Sequence, residues 1–380
     1  MGELVDRVVR KNINNESTLP LTISAQYGLV DQITYFNNRV ASRDVSNYYL
    51  VLNGEFAYNK STSDGYPFGA VKRLDLYEKG VLSTLYIVFA PKKEQQIDSD
   101  YLTVFFDTDR WHKGVAERAA EGARNHGLLN ISAEDFFDID LSVPKDIVEQ
   151  KQIGAFIRQL DNLITLHQRK FEKLTNVKKS MLEKMFPQNG SSYPEIRFKG
   201  FTDPWEQRKF EEIAVRSSVI CSDDTLPRVE YEDIVSGTGR LNKDIYAKQS
   251  IKSGIAFHQG DVLYGKLRPY LQNWLLPTFD GLAVGDFWVL QPQNADSSFL
   301  YRLIQSRQFD EVANQSTGTK MPRADWKLVS KTVFSIPSNI SEQAAIGTYF
   351  TALDSLITLH QRELEKLQNI KKSMLEKMFV

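Results

Sequence analysis

The segment LDNLITLHQRKFEKLTNVKKSMLEKMF, residues 160–186, occurs a second time in the chain in nearly the same form. The second copy, LDSLITLHQRELEKLQNIKKSMLEKMF, occupies residues 353–379, and 22 of the 27 positions are identical at an offset of 193 residues. No other part of the 380 residues repeats so closely. The two copies therefore satisfy one common structural requirement, whereas the sequences around them satisfy different ones.

Both copies carry the signals of a long helix. Asp146 and Asn339 are each followed three positions later by Glu, the pattern of a capping box at a helix start. No proline or turn cluster follows until Pro187 in the first copy, or until the last residue in the second. We therefore predict helices within 146–186 and 339–380, each of about 38 residues, or ~57 Å at ~1.5 Å per residue.

A narrow apolar stripe follows each predicted helix, with apolar residues every three or four positions. Such a stripe is most simply buried against the other helix in a coiled coil; alternatively, each helix packs separately on its own domain. Because an antiparallel pair of near-identical helices has a pseudo-twofold axis, we expect that arrangement. His167 and His360 would then meet near the middle, in a hydrogen-bonded packing role. No Cys or carboxylate accompanies either at metal-ligand spacing.

The composition is that of a globular protein, with 42% hydrophobic and 25% charged residues. No apolar run reaches the ~20 residues that a membrane helix needs, and the start, MGELVDRVVRKN, is charged. We therefore expect a cytoplasmic protein. Cys221 is the only cysteine, which excludes internal disulfides and a thiolate-built zinc site. The net charge of −1 means that any nucleic-acid surface must be a local patch.

The regions outside the helices form a second, weaker repeat. Short runs of β-branched and aromatic residues between Gly, Asn and Asp alternate with helical stretches, which predicts α+β domains with twisted sheets. We place the two domains at 1–145 and 206–338, with a Pro- and Gly-containing linker at 187–205. The matching segments are NGEFAYNK (53–60) with QGDVLYGK (259–266), KGVLSTLYIVFAP (79–91) with DGLAVGDFWVLQP (280–292), and DYLTVFF (100–106) with SFLYRLI (298–304).

Motifs for catalysis are absent from the sequence. It has no phosphate-binding GxxxxGK[ST], no zinc-binding HExxH and no Asn-Pro-Pro-aromatic motif of amino-methyltransferases. The GTGR at 237–240 lacks the third glycine of a dinucleotide fingerprint and is expected to be a turn. We therefore predict a non-catalytic chain that binds no metal or cofactor of its own.

Binding chemistry is concentrated in loops at matching places of the two domains. Basic side chains there can neutralise phosphates, and Arg, Asn and Gln can contact base edges. Each patch alone is more often a solvated face, but recurrence in two divergent domains favours nucleic acid. The candidate DNA-binding residues are Lys60, Ser61, Tyr66, Lys72, Arg73, Arg118, Arg124, Asn125 and His126 in the first domain, and Lys266, Arg268, Tyr270, Gln315, Ser316, Thr317, Lys320 and Arg323 in the second.

Taken together, the chain resembles the specificity subunit of a type I restriction-modification enzyme over nearly its whole length. The motifs that carry the resemblance are LDxLITLHQR…EKLxNxKKSMLEKMF in both helices, PEIRFKGFTDPWEQRKF before the second domain, and SAQYGLVDQ…NGEFAYNKSTSDGYPFGAVKR in the first. One difference is that the first domain begins at MGELVDRV, without a counterpart of the PEIRFKGFTDPW lead-in.

The resemblance implies a division of labour. Two target-recognition domains would each read half of a split double-stranded DNA sequence, and an antiparallel helical pair would set the gap between the halves. Two methyltransferase subunits would dock on the chain and methylate adenine with S-adenosylmethionine. Restriction subunits, which use ATP and Mg²⁺, would complete this bacterial defence system.

Two other functions remain open from the residues alone. The chain could be a coiled-coil adaptor whose domains bind proteins, which the salt dependence of DNA binding would distinguish. A self-contained nuclease or methyltransferase is disfavoured by the missing motifs. The methionines near the helix ends, Met181, Met185, Met374 and Met378, either form a docking surface for methyltransferase or belong to the core of the helical pair.

Overall fold

The computed structural model describes residues 1–94, 96–119, 127–188, 190–247, 250–315 and 321–379. The chain divides into two compact units. The first comprises Met1–Leu166 and Leu364–Val380, and the second comprises His167–Glu363. Each unit contains one α+β domain together with part of each of the two long helices. In the described part of the chain, no helix is long and apolar enough to cross a bilayer.

The first domain is an antiparallel sheet covered by short helices. Its strands are β1 (Val5–Arg7), β2 (Leu21–Ser24), β3 (Gly28–Asp31), β4 (Tyr49–Leu52), β5 (Phe56–Asn59), β6 (Ala70–Arg73), β7 (Lys79–Leu82) and β8 (Ile87–Pro91), and its helices are α1 (Gln32–Phe36), α2 (Ser99–Phe105), α3 (His112–Arg118) and α4 (Ala133–Phe137). The central sheet has the order β1-β8-β5-β6. Two further two-stranded sheets are formed by β2 with β3 and by β4 with β7. Aromatic rings fill its core, where Tyr58 stacks on Phe136 at 4.4 Å between ring centroids.

The first long helix, α5 (Ile147–Lys184), follows, and the second domain repeats the plan of the first. Its sheet order β10-β19-β16-β17 matches β1-β8-β5-β6, which confirms the predicted duplication and the α+β class. The second long helix, α10, is Ile340–Met378. The elements between are β9 (Glu206–Lys209), α6 (Phe210–Ile213), β10 (Ala214–Ser217), β11 (Ile220–Cys221), β12 (Arg228–Val229), β13 (Ile234–Val235), β14 (Arg240–Leu241), β15 (Gly254–Phe257), β16 (Val262–Gly265), β17 (Trp274–Leu275), β18 (Gly281–Ala283), β19 (Phe287–Pro292), α7 (Ser297–Leu303), α8 (Arg307–Ala313), α9 (Trp326–Lys331) and β20 (Val333–Ile336).

The predicted helix starts are confirmed, but their glutamates differ. The side chain of Asp146 accepts a hydrogen bond from the N–H of Val148, and that of Asn339 accepts one from Ser341. These are Asx caps, which satisfy N–H groups of the first helical turn. Glu342 does not complete a capping box, since its carboxylate accepts from Arg197 and from the indole N–H of Trp205.

Within each unit, side-chain contacts join the segment of α5 to the segment of α10. In the second unit, the Nδ1 atoms of His167 and His360 lie 3.1 Å apart, and Lys178 pairs with Asp354 at 2.7 Å. The α5 number rises between these contacts while the α10 number falls, so the segments are antiparallel. In the first unit, Asp161 pairs with Lys371 at 2.6 Å. This pair is the 193-residue counterpart of the other.

The apolar stripes are buried in both of the ways that the sequence left open. Ile153, Ile157 and Leu160, near the start of α5, belong to the core of the first domain, and Ile346, Phe350 and Leu353 of α10 belong to that of the second. The later part of each stripe packs on the core cluster of the unit to which that part of the helix belongs. Its members are Leu174, Val177, Met181 and Met185 in the second unit, and Leu367, Ile370, Met374 and Met378 in the first.

The segment expected to be a linker packs against the second domain. Trp205 is buried, and Ile196 and Phe198 pack on the same core cluster. Arg197 forms a two-pronged ion pair with Glu342, with distances of 2.6 and 2.8 Å. Proline and glycine correctly predicted the end of the helix at this point. The bulky residues of the PEIRFKGFTDPW segment nevertheless make it part of a folded unit.

Candidate nucleic-acid interface

In the first domain, the loop that leaves β5 is held beside the segment that precedes α4. The N–H of Leu129 donates to the carbonyl of Lys60 at 3.0 Å, and the N–H of Thr62 donates to Gly127 at 2.6 Å. The candidate residues Lys60 and Ser61 therefore lie in a loop whose backbone is paired with that segment. Ser61 is exposed, whereas the Lys60 ammonium donates to the carbonyl of Ile131 at 3.2 Å.

The second domain pairs the equivalent backbone in the same way. The N–H of Ala324 donates to the carbonyl of Lys266 at 2.9 Å, and the N–H of Arg268 donates to Pro322 at 2.7 Å. Arg268 has a left-handed backbone with φ 49°, after which Pro269–Leu271 forms a tight turn. This turn leaves Tyr270 exposed. We call these two structures the first and second ledges: residues 60–62 with 127–129, and residues 266–268 with 322–324.

A half-buried carboxylate lies between the cations of the second ledge. Asp286 lies 3.1 Å from the guanidinium of Arg323 and 3.5 Å from the ammonium of Lys266. Burial alone would raise the pKa of Asp286, but Arg323 and Lys266 outweigh it and the pKa is lowered. Asp286 therefore stays ionised and orients both cations. Asp286 could not be predicted from the sequence, because a single Asp before a strand is common.

The other candidate cations that the structure describes in the first domain form ion pairs within that domain. Lys72 pairs with Asp107 at 2.6 Å, and Arg118 pairs with Asp138 at 3.0 Å. The side chain of Arg73 is only 8% exposed and lies 2.7 and 2.8 Å from Asp75 and Asp100. Arg73 therefore joins α2 to β6, and these ion pairs leave little of its guanidinium for a phosphate.

A hairpin tip that sequence reasoning missed lies beside the first ledge's loop. The hydroxyl of Tyr66 donates to the carbonyl of Ala25 at 3.4 Å, which places Tyr66 against the turn between β2 and β3. Gln26 follows Ala25 in this turn, and Tyr27 is exposed. The turn ends at Gly28 with φ 81°. A YG turn between two short apolar strands is the signal that could have identified it.

Six candidates, Arg124, Asn125, His126, Ser316, Thr317 and Lys320, lie outside the described residues. Gln315 lies at the edge of the described part and is exposed. Among the residues that the structure describes, no group of His, Cys, Asp and Glu could hold a metal ion. The GTGR sequence forms the turn between β13 and β14, as predicted.

Comparison with known families identifies the class. The model of the type I restriction modification DNA specificity domain matches residues 76–176 and 204–369, more than half of the chain. The chain therefore belongs to this family of non-catalytic specificity subunits, which recognise DNA sequence in type I restriction-modification systems. Each matched range covers at least part of one domain and most of one long helix.

Individual relatives agree with this assignment. The specificity subunit of the type I restriction enzyme MjaVIII from Methanocaldococcus jannaschii is 23% identical over 90% of this chain and 82% of its own. That of EcoDI from Escherichia coli is 25% identical over 51% of this chain and 46% of its own. The crystal structure of a type I restriction-modification S subunit from M. genitalium shares the fold, with a TM-score of 0.61 at 13% identity over all of this chain and 94% of its own.

Proposed function

We propose that each domain reads one half of a bipartite double-stranded DNA target through its ledge. The observation that carries the proposal is the identical backbone pairing of two basic loops in domains whose sequences otherwise differ. A rigid ledge places side chains reproducibly against a groove, whereas phosphate contacts from neighbouring cations fix the register. In the first domain, we add the hairpin tip at Gln26 and Tyr27 to this surface.

The test is a pair of double variants, one for each domain. Lys266→Ala with Arg268→Ala should weaken binding through the second half-site only. Each lost phosphate contact should flatten the salt slope by about 1, and a lost guanine contact should cost ~1–3 kcal/mol and relax one base position. The matched control, Lys60→Ala with Ser61→Ala, should affect only the first half-site. DNA affinity insensitive to salt in the parent would favour the protein-binding adaptor instead.

We further propose that the two long helices set the gap between the half-sites. Both helices contribute to both units, and the reciprocal ion pairs Asp161–Lys371 and Asp354–Lys178 fix their register. Because the segments are antiparallel, lengthening one helix alone would shift these pairs. Four residues should therefore be inserted in both helices, after His167 and after His360. This adds ~6 Å, or about 1–2 base pairs of gap. Methylome mapping that shows an unchanged gap in an active enzyme would contradict the proposal.

For the partner subunits, the burial of the methionines favours a docking surface elsewhere on the long helices. Met185 is buried and Met181, Met374 and Met378 pack on the cores, so these methionines offer little to a partner. Large exposed apolar side chains instead recur at the 193-residue spacing, namely Leu163 with Leu356 and Leu166 with Leu359. We propose that two methyltransferase subunits dock there. They would supply S-adenosylmethionine chemistry, and restriction subunits would supply ATP and Mg²⁺ chemistry, in the cytoplasm where the DNA is.

The docking proposal is tested by charge. Leu163→Asp with Leu356→Asp should abolish copurification with methyltransferase while leaving the circular dichroism of the isolated chain unchanged, because both positions are already exposed. Substituting the four methionines by Leu should leave assembly intact, since Leu and Met are nearly equal in volume. The opposite pattern would return the docking surface to the methionines.

A further inference from the structure

The second unit contains a large cavity that the DNA-reading surface does not use. Its volume is about 1000 Å³, at the upper end of the range for small-molecule sites. The turn at 237–240, the α7–α8 region and parts of both long helices form its walls. Six basic residues line it against three acidic ones: Lys178, Lys179, Arg240, Arg302, Arg307 and Arg362 against Glu183, Asp310 and Asp354.

Three buried donors in these walls have no hydrogen-bond partner among the described residues. They are Nε1 of Trp274, in a residue that is 5% exposed, Nε of Arg302, in a residue that is 2% exposed, and Nε2 of Gln305. The other guanidinium nitrogens of Arg302 donate to Asp354 at 2.7 Å and to Thr351 at 3.2 Å. A buried unpaired donor costs about 1–3 kcal/mol. The walls therefore hold more donors than the chain itself supplies with acceptors.

The counterpart cavity of the first unit shows that this chemistry is specific to the second. It is smaller, at about 570 Å³, and is built on the equivalent helix positions, with Asp161 and Lys371 in place of Asp354 and Lys178. Where the second cavity has Gln305 and Arg307, the first has Asp107 and Asp109. Four acidic and three basic residues line it. The shared helical scaffold thus gives a cavity in both units, but only the second carries an excess of positive charge.

We propose that the cavity of the second unit binds a small organic oxyanion, a phosphate or carboxylate on an apolar or aromatic body. The cations and unpaired donors would hold the oxyanion, since charge-assisted hydrogen bonds are the stronger kind. Phe171, Leu182 and Leu276 supply apolar wall for the body. The volume suits a ligand of about the size of a mononucleotide.

Titration calorimetry on the full-length chain at constant ionic strength tests this with four probes: AMP, benzoate, inorganic phosphate and adenosine. Saturable binding of AMP or benzoate is expected, and the tighter of the two identifies the oxyanion. Adenosine should bind at least about tenfold more weakly than AMP, the equivalent of one charged hydrogen bond. Inorganic phosphate should also bind more weakly, because it lacks a body. No saturable binding of either AMP or benzoate would overturn the proposal.

Variants locate the binding. Lys179→Ala with Arg362→Ala, both exposed, should lower affinity about tenfold or more. The matched control is Lys372→Ala with Arg169→Ala, the 193-residue counterparts, which should bind as the parent does. Trp274→Phe keeps an aromatic ring, removes the unpaired donor and should also weaken binding. Equal affinity of all three variants and the parent would place the ligand elsewhere and overturn the proposal.

A DNA arm separates this inference from the proposed DNA function. Lys179→Ala with Arg362→Ala should bind a target duplex as tightly as the parent, because neither residue belongs to a ledge. If the variant loses duplex binding and the parent binds no small anion, the cavity serves the DNA backbone and the inference fails, while the proposed function stands.

Discussion

The two units use the same contacts between domain and helix, but they differ at one neighbouring position. Gln150 and Gln343 are both fully buried one turn into their helices. Each side-chain oxygen accepts a hydrogen bond at 2.8 Å from the N–H of a residue that caps a short helix of the preceding domain, Asp98 at α2 or Asp296 at α7. Each side-chain amide donates to a proline carbonyl at 2.7 Å. The preceding glutamates diverge, because Glu342 is 2% exposed and Glu149 is exposed.

This difference separates two kinds of constraint. We call Gln150 and Gln343, with these hydrogen bonds, the glutamine hooks. Each hook joins a long helix to the domain that precedes it, and both units contain this connection. The buried glutamate instead joins the helix to the PEIRFKGFTDPW segment, through Arg197 and Trp205. A repeated residue can therefore have a structural role in one copy and be solvated in the other.

The largest effect is expected from the glutamate that only one unit buries. Glu342→Ala removes the carboxylate that pairs with the largely buried guanidinium of Arg197. The free energy of unfolding should therefore fall by about 3 kcal/mol. The control Glu149→Ala should change stability by less than about 0.5 kcal/mol, because the side chain is exposed. Urea denaturation of both variants provides the measurement. Equal losses would show that the two positions are equivalent after all.

The glutamine hooks should respond alike. Gln150→Ala and Gln343→Ala each leave a buried N–H and a buried carbonyl without their partners, which should cost about 2 kcal/mol in either unit. Hydrogen exchange at α2 and α7 can report the loss locally, since the capping residue of each of these helices is held by a hook. A loss in one unit but not the other would remove the basis of the comparison.

The smallest effect is expected at the histidine pair. Burial, His167 and Lys170 all lower the pKa of His360, so the fold favours its neutral form. The unfolded chain takes up the proton near pH 6.5, and stability present above that pH is lost as the pH falls toward the lower folded pKa. His360→Gln should therefore gain on the parent between pH 7.5 and 5.5, by about 1 °C or less in Tm. Parallel melting curves would contradict this assignment.

Much of the fold could be predicted because it depends on periodicity and repetition. The long helices, their Asx caps, the duplicated domains and the meeting of His167 with His360 all follow from spacing in the sequence. The packing of the 187–205 segment could not be predicted, because Pro and Gly mark a chain break whether or not the residues around them are buried. The ion pair between Arg197 and Glu342 spans 145 residues and leaves no local pattern.

The site was less predictable, because cation-rich loops look alike whether their charges are free or paired. Lys266 and Lys60 were correctly placed at equivalent positions by the QGDVLYGK and NGEFAYNK match. The ion pairs of Arg73 could not be predicted, since its partners are Asp75, just after β6, and Asp100 on α2. The excess of positive charge in the cavity of the second unit also has no sequence signature. It arises where α7, α10 and a tight turn meet in space.

The offset of the reciprocal ion pairs has an evolutionary consequence. Asp161 binds the lysine that repeats Lys178, and Asp354 binds Lys178 itself. Every bond of this kind is therefore one that a single ancestral helix could make with another copy of itself. A gene half as long would encode one domain and one helix. Two copies of that protein would form the same ion pairs in a homodimer, and the homodimer would recognise a palindrome. Fusion of two such genes would then have released the second domain to acquire a different half-site.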